Sequence, residues 1–302
     1  MTTIIPPYLN KGDKIYLLAP SAFMPIEQIQ RCIITFKLWG FNPIIGETVG
    51  LEYHYFAGTE LARLNDLQYA LNEPSIKAIF CIRGGYGLSH IIDKIDFSLF
   101  CKSPKWIIGF SDITILQNHI FTVYGIASLH APMANAFNNT NADENIQFIY
   151  DVLVGKKSNY IVPPNKNNQF GKCTGVLVGG NLSLIAHLIG TISSINTHNK
   201  ILFLEDVGEY LYSIDRMIIQ LKRANIFNNI AGLILGGFTE LNDTQNKFGA
   251  TIEEILTHHF KHLKIPVAFN FPISHGNENL PVKIGSIYTL EITENNTKLL
   301  SE

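Results

Sequence analysis

Through the first half of the chain, short apolar runs alternate with stretches whose apolar residues recur every three or four positions. These are the periods of buried strands and of helices lying on a sheet. Lys14 to Ala19, Asn42 to Ile45, Ala78 to Ile82, Trp106 to Gly109 and Ile126 to Leu129 read as strands. Between them, Pro25 to Trp39 reads as a helix ended by Gly40, Thr59 caps a helix running to Leu71, and Leu88 to Ile92 makes a short helix. A further helix follows Ser111, with Ile113, Leu116, Ile120 and Tyr124 near 3.6-residue spacing and Gly125 to end it. Strand and helix alternating over short connections predict a doubly wound parallel sheet covered on both faces.

The pattern breaks between Gly155 and Lys172, where Lys156-Lys157-Ser158-Asn159, Pro163-Pro164 and a polar run from Asn165 to Gln169 have the character of a linker. Beyond it come a strand at Gly175 to Val178, a helix capped by Asn181, a strand at Ile201 to Leu204 and a helix at Ser213 to Arg223. A strand at Ala231 to Leu235, a helix at Ile252 to Phe260 and strands near the end complete the chain. The expected fold is therefore α/β, with an N-terminal doubly wound parallel-sheet domain over residues 1–155, a linker over 156–172 and a second, mixed α/β domain over 173–302.

Composition narrows the partners. A formal charge of −2 with no Lys/Arg cluster argues against a nucleic-acid or acidic-membrane surface, leaving a small molecule or peptide as the expected partner. Pro6-Pro7 interrupts the N-terminal segment, which carries no basic region followed by an apolar one, and no apolar run approaches a membrane span; the chain reads as cytoplasmic. The four cysteines form no C-x-x-C pair. His258, His259 and His262 are the best metal ligands on offer, but without the Glu of H-E-x-x-H they read as a solvated helix surface, and no metal or cofactor is expected.

Four segments can carry chemistry. In Gly109-Phe110-Ser111-Asp112-Ile113 a strand gives way to a helix, and a serine at such a corner is lifted clear of the sheet beside the free N–H groups of the helix start. The same serine would serve equally as an N-cap, and Ile113 stands where G-x-S-x-G has its last glycine. Arg83-Gly84-Gly85-Tyr86-Gly87 follows a strand, at the sheet edge where open α/β sheets bind ligands, and suits a phosphate, an oxyanion or a purely structural turn. Leu204-Glu205-Asp206-Val207-Gly208-Glu209 sets carboxylates at a strand end, and Ser274-His275-Gly276-Asn277 sets a histidine in a turn. Together Ser, Glu and His supply a nucleophile, an orienting carboxylate and a general base.

With Gly179-Gly180-Asn181-Leu182, Ile214-Asp215-Arg216 and Gly12-Asp13 to Pro20 added, these motifs in this order resemble the serine LD-carboxypeptidases of murein recycling across nearly the whole chain. The resemblance implies a two-domain fold, a homodimer and a cytoplasmic enzyme that removes the terminal D-alanine from muropeptide tetrapeptides. It makes Ser111 the nucleophile, His275 the base and Glu205 its orienter, with Glu209 a rival carboxylate. Asp112 and Gly85 are the expected oxyanion donors through their N–H groups, and Arg83 and Tyr86 the expected substrate-binding residues. Because nucleophile and base fall in different predicted domains, docking of the domains is expected to control activity. The family also holds serine peptidases that give immunity to microcin-type antibiotics, and His275 to Pro281 looks closer to the recycling branch. A non-catalytic ligand-binding protein, or a nucleotide binder using Arg83 to Gly87, is the alternative of a different class, though no P-loop lysine follows the glycines. Neither S-x-x-K nor K-T-G occurs, and Asn277 replaces the cysteine of an S-H-G-C transpeptidase motif.

Overall fold

The computed structural model describes residues 3–139 and 143–302; Met1 and Thr2, at the head of the first predicted domain, and 140–142 within it lie outside the described residues. The chain forms two compact units, Met1–Lys156 with Leu280–Lys283, and Lys157–Asn279 with Ile284–Glu302.

In the first unit, β1 (Lys14–Leu18) leads through α1 (Gln30–Leu38) to β2 (Asn42–Ile45), then through α2 (Glu60–Asn72) to β3 (Ile76–Cys81). After the short α3 (Ser98–Lys102) come β4 (Trp106–Gly109), α4 (Thr114–Tyr124), β5 (Ser128–His130) and α5 (Asp143–Leu153). The strands lie in the order β2-β1-β3-β4-β5 and pair in parallel. Central strands are largely apolar because helices cover both faces: all four residues of β4 are buried and only Lys77 of β3 is exposed, whereas β2, with Pro43, takes the edge, where a missing N–H costs least. Phe36 of α1 packs edge-on against Phe80 of β3, ring centroids 5.0 Å apart, in a core that includes Leu17, Trp106 and Ile108.

This strand order decides where a ligand can go. The chain leaves β1 toward β2 on one side and returns to β3 on the other, so a crevice opens beyond the carboxyl ends of β1 and β3. There the loop after β1 and the turn after β3 meet, Ala22 N–H donating to the carbonyl of Gly84 at 3.1 Å.

The second unit begins with β6 (Asn159–Val162), β7 (Gly171–Asn181), α6 (Leu182–His187), β8 (Lys200–Val207) and α7 (Leu211–Arg223). It continues with β9 (Gly232–Thr239), α8 (Ile252–Phe260) and β10 (Val267–Ala268). Next, β11 (Val282–Ile284) joins the first sheet beside β5, and β12 (Ile287–Ile292) and β13 (Thr297–Ser301) end the chain. The seven-stranded second sheet runs β10-β9-β8-β7-β12-β13-β6, with β7 to β10 parallel and β12, β13 and β6 forming an antiparallel wing.

Two sequence readings change here. Asn159–Val162 lies within the stretch read as linker, yet it is an edge strand paired with β13. It is short, polar at one end and followed by Pro163-Pro164, and only Tyr160 is buried, so its composition gives little strand signal. His259 is not on a solvated surface: it is buried, its Nε2 lies 2.7 Å from Asp215 Oδ1, and Lys222 Nζ donates to its Nδ1 at 2.8 Å. His262 falls beyond the end of α8. Among the described residues no group of three or more His, Cys, Asp or Glu side chains is placed to hold a metal ion, and no helix is long and apolar enough to cross a membrane.

Candidate active site

In the first unit the site is built on a strained corner. Ser111 has φ +63°, in the left-handed region that costs a non-glycine residue about 1–2 kcal/mol. An N-cap residue has extended backbone, and the cap positions here fall to Phe110 for the single 3₁₀ turn Ser111–Ile113 and to Ile113 for α4. The serine is therefore not held as a cap. Such strain persists where the surroundings over-determine it. Gln117, one turn into α4, donates from Nε2 to the carbonyls of Gly109 and Leu129 at 2.9 Å each, tying the corner to β5. Gly109 has φ +155°, and a Cβ there would stand 2.9 Å from Ile113 Cγ1.

The turn after β3 closes on the serine. A Cβ on Gly84 would stand 2.9 Å from Ser111 Cβ, 3.0 Å from Ser111 Oγ and 3.2 Å from the backbone nitrogen of Asp112. Gly85 has φ +96°, with Tyr55 Oη and Ala22 Cβ occupying the space of its missing side chain at 2.6 and 2.7 Å. The first unit thus assembles Ser111, the Asp112 N–H and the Gly84-Gly85 turn in one place. Arg83 and Tyr86 are exposed beside it: Arg83 Nη1 donates to the carbonyl of Phe23 at 2.5 Å, and Tyr86 Oη lies 2.9 Å from His90 Nε2. Gly84→Ala is expected to cost on the order of 10²-fold in kcat, since the methyl must displace Ser111 and small misplacements of reacting atoms cost that much. Steady-state kinetics with thermal melting as control checks this; a fully active, folded alanine variant would mean the turn has no part in the reaction.

In the second unit, Glu205 stands near the end of β8 and is completely buried. His275 Nδ1 donates to Glu205 Oε2 at 2.6 Å. The approach needs room, and glycines provide it. Register between β8 and β9 shifts by one residue between Leu204 and Asp206, a bulge at Gly236-Gly237. A Cβ on Gly236 would stand 2.2 Å from the carbonyl oxygen of Ile273 and 3.0 Å from Glu205 Cβ; one on Gly237 would stand 2.4 Å from Ser274 Cβ. Ser274 then shapes the turn that carries the histidine, its Oγ donating to the carbonyl of Glu278 at 2.8 Å and accepting from Gly276 N–H at 3.0 Å.

Charge in this cluster is lopsided. Burial lowers the His275 pKa, but Glu205, Asp206 and Glu240 together outweigh it, so the imidazole titrates above its ordinary value. Burial, then the Glu205 charge, pushes Asp206 up to about 7, although Val207 N–H and Asn181 Nδ2 each donate to its Oδ1 at 2.8 Å. Asn181 caps α6 as its sequence predicts, its side chain accepting from Leu184 N–H. Glu209 lies half-exposed in the loop before α7, its carbonyl accepting from Asn242 N–H. Of the two rival carboxylates, Glu205 is the one bonded to the histidine.

Gly236, Gly237 and Gln117 are not singled out by the sequence, and Ser274 stands out there only as part of the histidine motif. The Gly-Gly pair that breaks the apolar run of β9 is the available signal for the close approach of Ile273 and Ser274.

A serine on a strained strand-to-helix corner and an imidazole held by a buried carboxylate are parts from which serine hydrolases are built. The chain belongs to the LD-carboxypeptidase family: the model of the family's N-terminal domain matches residues 15–131, and that of its C-terminal domain residues 174–290. A protein of Bacillus subtilis named "Probable murein peptide carboxypeptidase" is 30% identical, over 96% of this chain and 92% of that protein. The murein tetrapeptide carboxypeptidase of Pseudomonas aeruginosa is 27% identical, over 92% of this chain and 93% of its own. The muramoyltetrapeptide carboxypeptidase of Oxalobacter formigenes has the same fold, with TM-score 0.86 and 24% identity over 96% of this chain and 99% of that one. So does the microcin C7 self-immunity protein, with TM-score 0.87 and 22% identity over 99% of each chain.

Proposed function

We propose that this chain is a murein tetrapeptide LD-carboxypeptidase, a serine hydrolase that releases the terminal D-alanine of muropeptide tetrapeptides. The observation that carries the chemistry is the 2.6 Å bond from His275 to the fully buried Glu205, which orients the imidazole with Nδ1 as donor and makes Nε2 the basic nitrogen of that tautomer. The substrate class is supported by the relatives of Bacillus subtilis and Pseudomonas aeruginosa, whose names specify murein peptides.

In this reading Ser111 Oγ attacks the carbonyl before the terminal residue while His275 Nε2 takes its proton. The N–H groups of Asp112 and Gly85 receive the oxyanion. His275 then protonates the departing amine of D-alanine, and the acyl-enzyme on Ser111 is hydrolysed by water activated by the same imidazole. Glu205 stabilises the imidazolium formed in each half. Arg83 and Tyr86, exposed beside the turn, contact the peptide. The reading needs no metal or cofactor. The family resemblance further supports a cytoplasmic enzyme working as a homodimer.

Substrate stereochemistry tests it. Free tetrapeptide ending in D-alanine should give tripeptide and D-alanine, while a pentapeptide ending D-Ala-D-Ala should remain intact, because inverting one centre moves the carbonyl away from Ser111 at a cost of about 10²-fold. Products would be separated by mass. Efficient trimming of the pentapeptide would sink the LD assignment, and turnover of a peptidyl-nucleotide antibiotic alone would replace recycling with immunity.

A further inference from the structure

Two buried, oppositely charged side chains bridge the same two loops around Ser111. Asp112, directly after the serine, is buried, and its Oδ2 accepts from Ser21 Oγ at 2.5 Å and from Leu88 N–H at 2.9 Å. Arg63 on α2 is equally buried, and its Nη1 donates to the carbonyls of Pro20 and Gly87 at 2.9 Å each. Carboxylate and guanidinium thus grip adjacent residues: Ser21 and Leu88 on one, Pro20 and Gly87 on the other. One gripped loop follows β1 and the other is the glycine turn after β3. Between them, Ala22 N–H donates to the carbonyl of Gly84.

The charges are matched to the task. Burial lowers the Arg63 pKa, and the nearby carboxylates of Glu60 and Asp112 oppose that fall. Neither buried charge tolerates loss of its partners cheaply. Two charge-assisted bridges at consecutive residues fix the glycine turn against the serine corner, which its left-handed backbone leaves under strain.

We propose that Ser21 and Arg63, acting through the Asp112 carboxylate and the Gly87 carbonyl, are positioning residues that hold the Gly84-Gly85 turn in register with Ser111. This rests on the serine-hydrolase reading above. The role of the Asp112 side chain is separate from that of its N–H.

Ser21→Ala removes one bond to the carboxylate without adding bulk. Its kcat per titrated active site should fall about 10- to 100-fold with KM within about twofold, and a fluorophosphonate should label Ser111 more slowly by a similar factor. A purely structural contact would lower the melting temperature or the titratable fraction and leave the rate per site unchanged. Asp112→Asn, isosteric but uncharged, is the second variant should Ser21→Ala fold poorly. Rates per site and labelling within twofold of the parent in both variants would overturn the proposal. Ser111→Ala controls the labelling: if the parent protein is not labelled at Ser111, it is the hydrolase reading that fails.

Discussion

Replacing Ser111 with alanine is expected to lower kcat by about 10⁴-fold or more, as loss of a serine nucleophile does elsewhere, while the protein still folds. The fold should survive because the serine is not the N-cap of α4, and the corner is held by neighbours the substitution leaves alone. Gln117 keeps both of its backbone carbonyls, and the Asp112 carboxylate keeps Ser21 and Leu88. Alanine retains the positive-φ strain, whereas Ser111→Gly should relieve it and stabilise the protein by about 1 kcal/mol while remaining equally inactive. A variant that gains stability as it loses activity marks strain kept for function rather than for folding. Steady-state assays on tetrapeptide, thermal melting and a fluorophosphonate label located by peptide mass would be read together. Full activity in the alanine variant, or label on another residue, would remove Ser111 from the mechanism.

The first sheet was legible because its central strands are largely buried and its connections are short. Asn42–Ile45 and Trp106–Gly109 fall where the apolar runs place them, and Thr59 and Gly125 perform the capping that their residue types predict. The antiparallel wing was harder to see. Its strand β6 is an edge, half polar and closed by prolines, and β11, although late in the chain, pairs in the first sheet. Pairing across such sequence distances leaves no local periodicity to read. At the site, the residue types at strand ends were visible, but what holds them was not. The Ser21, Arg63 and Asp112 bridges join loops far apart in sequence, and Gly236-Gly237 matters only because the Ile273 carbonyl and the Ser274 side chain lie against it. His259 shows the converse error. The missing glutamate of H-E-x-x-H makes it read as a solvated surface residue, whereas it is buried and paired with Asp215 and Lys222 of α7.

Glu205→Gln is expected to cost on the order of 10³- to 10⁴-fold in kcat with the fold retained, and Glu209→Gln far less. The amide fits the space of the carboxylate, but its NH₂ group favours the imidazole tautomer with the proton on Nε2, the nitrogen that accepts the Ser111 proton in the proposed mechanism. The same substitution changes the pH profile in a predictable direction. In the proposed mechanism His275 can act as base only when neutral, and despite burial the Glu205, Asp206 and Glu240 charges hold its pKa above the ordinary value. The acid limb of kcat/KM in the parent enzyme should therefore lie above the usual histidine range. Removing the Glu205 charge, which acts both through space and through the 2.6 Å bond, should move that limb to lower pH even as the plateau falls. Profiles of both glutamine variants on tetrapeptide would decide the assignment. A large loss in Glu209→Gln with little in Glu205→Gln would transfer the orienting role to Glu209. An unmoved acid limb in Glu205→Gln would mean that the titrating group is not His275.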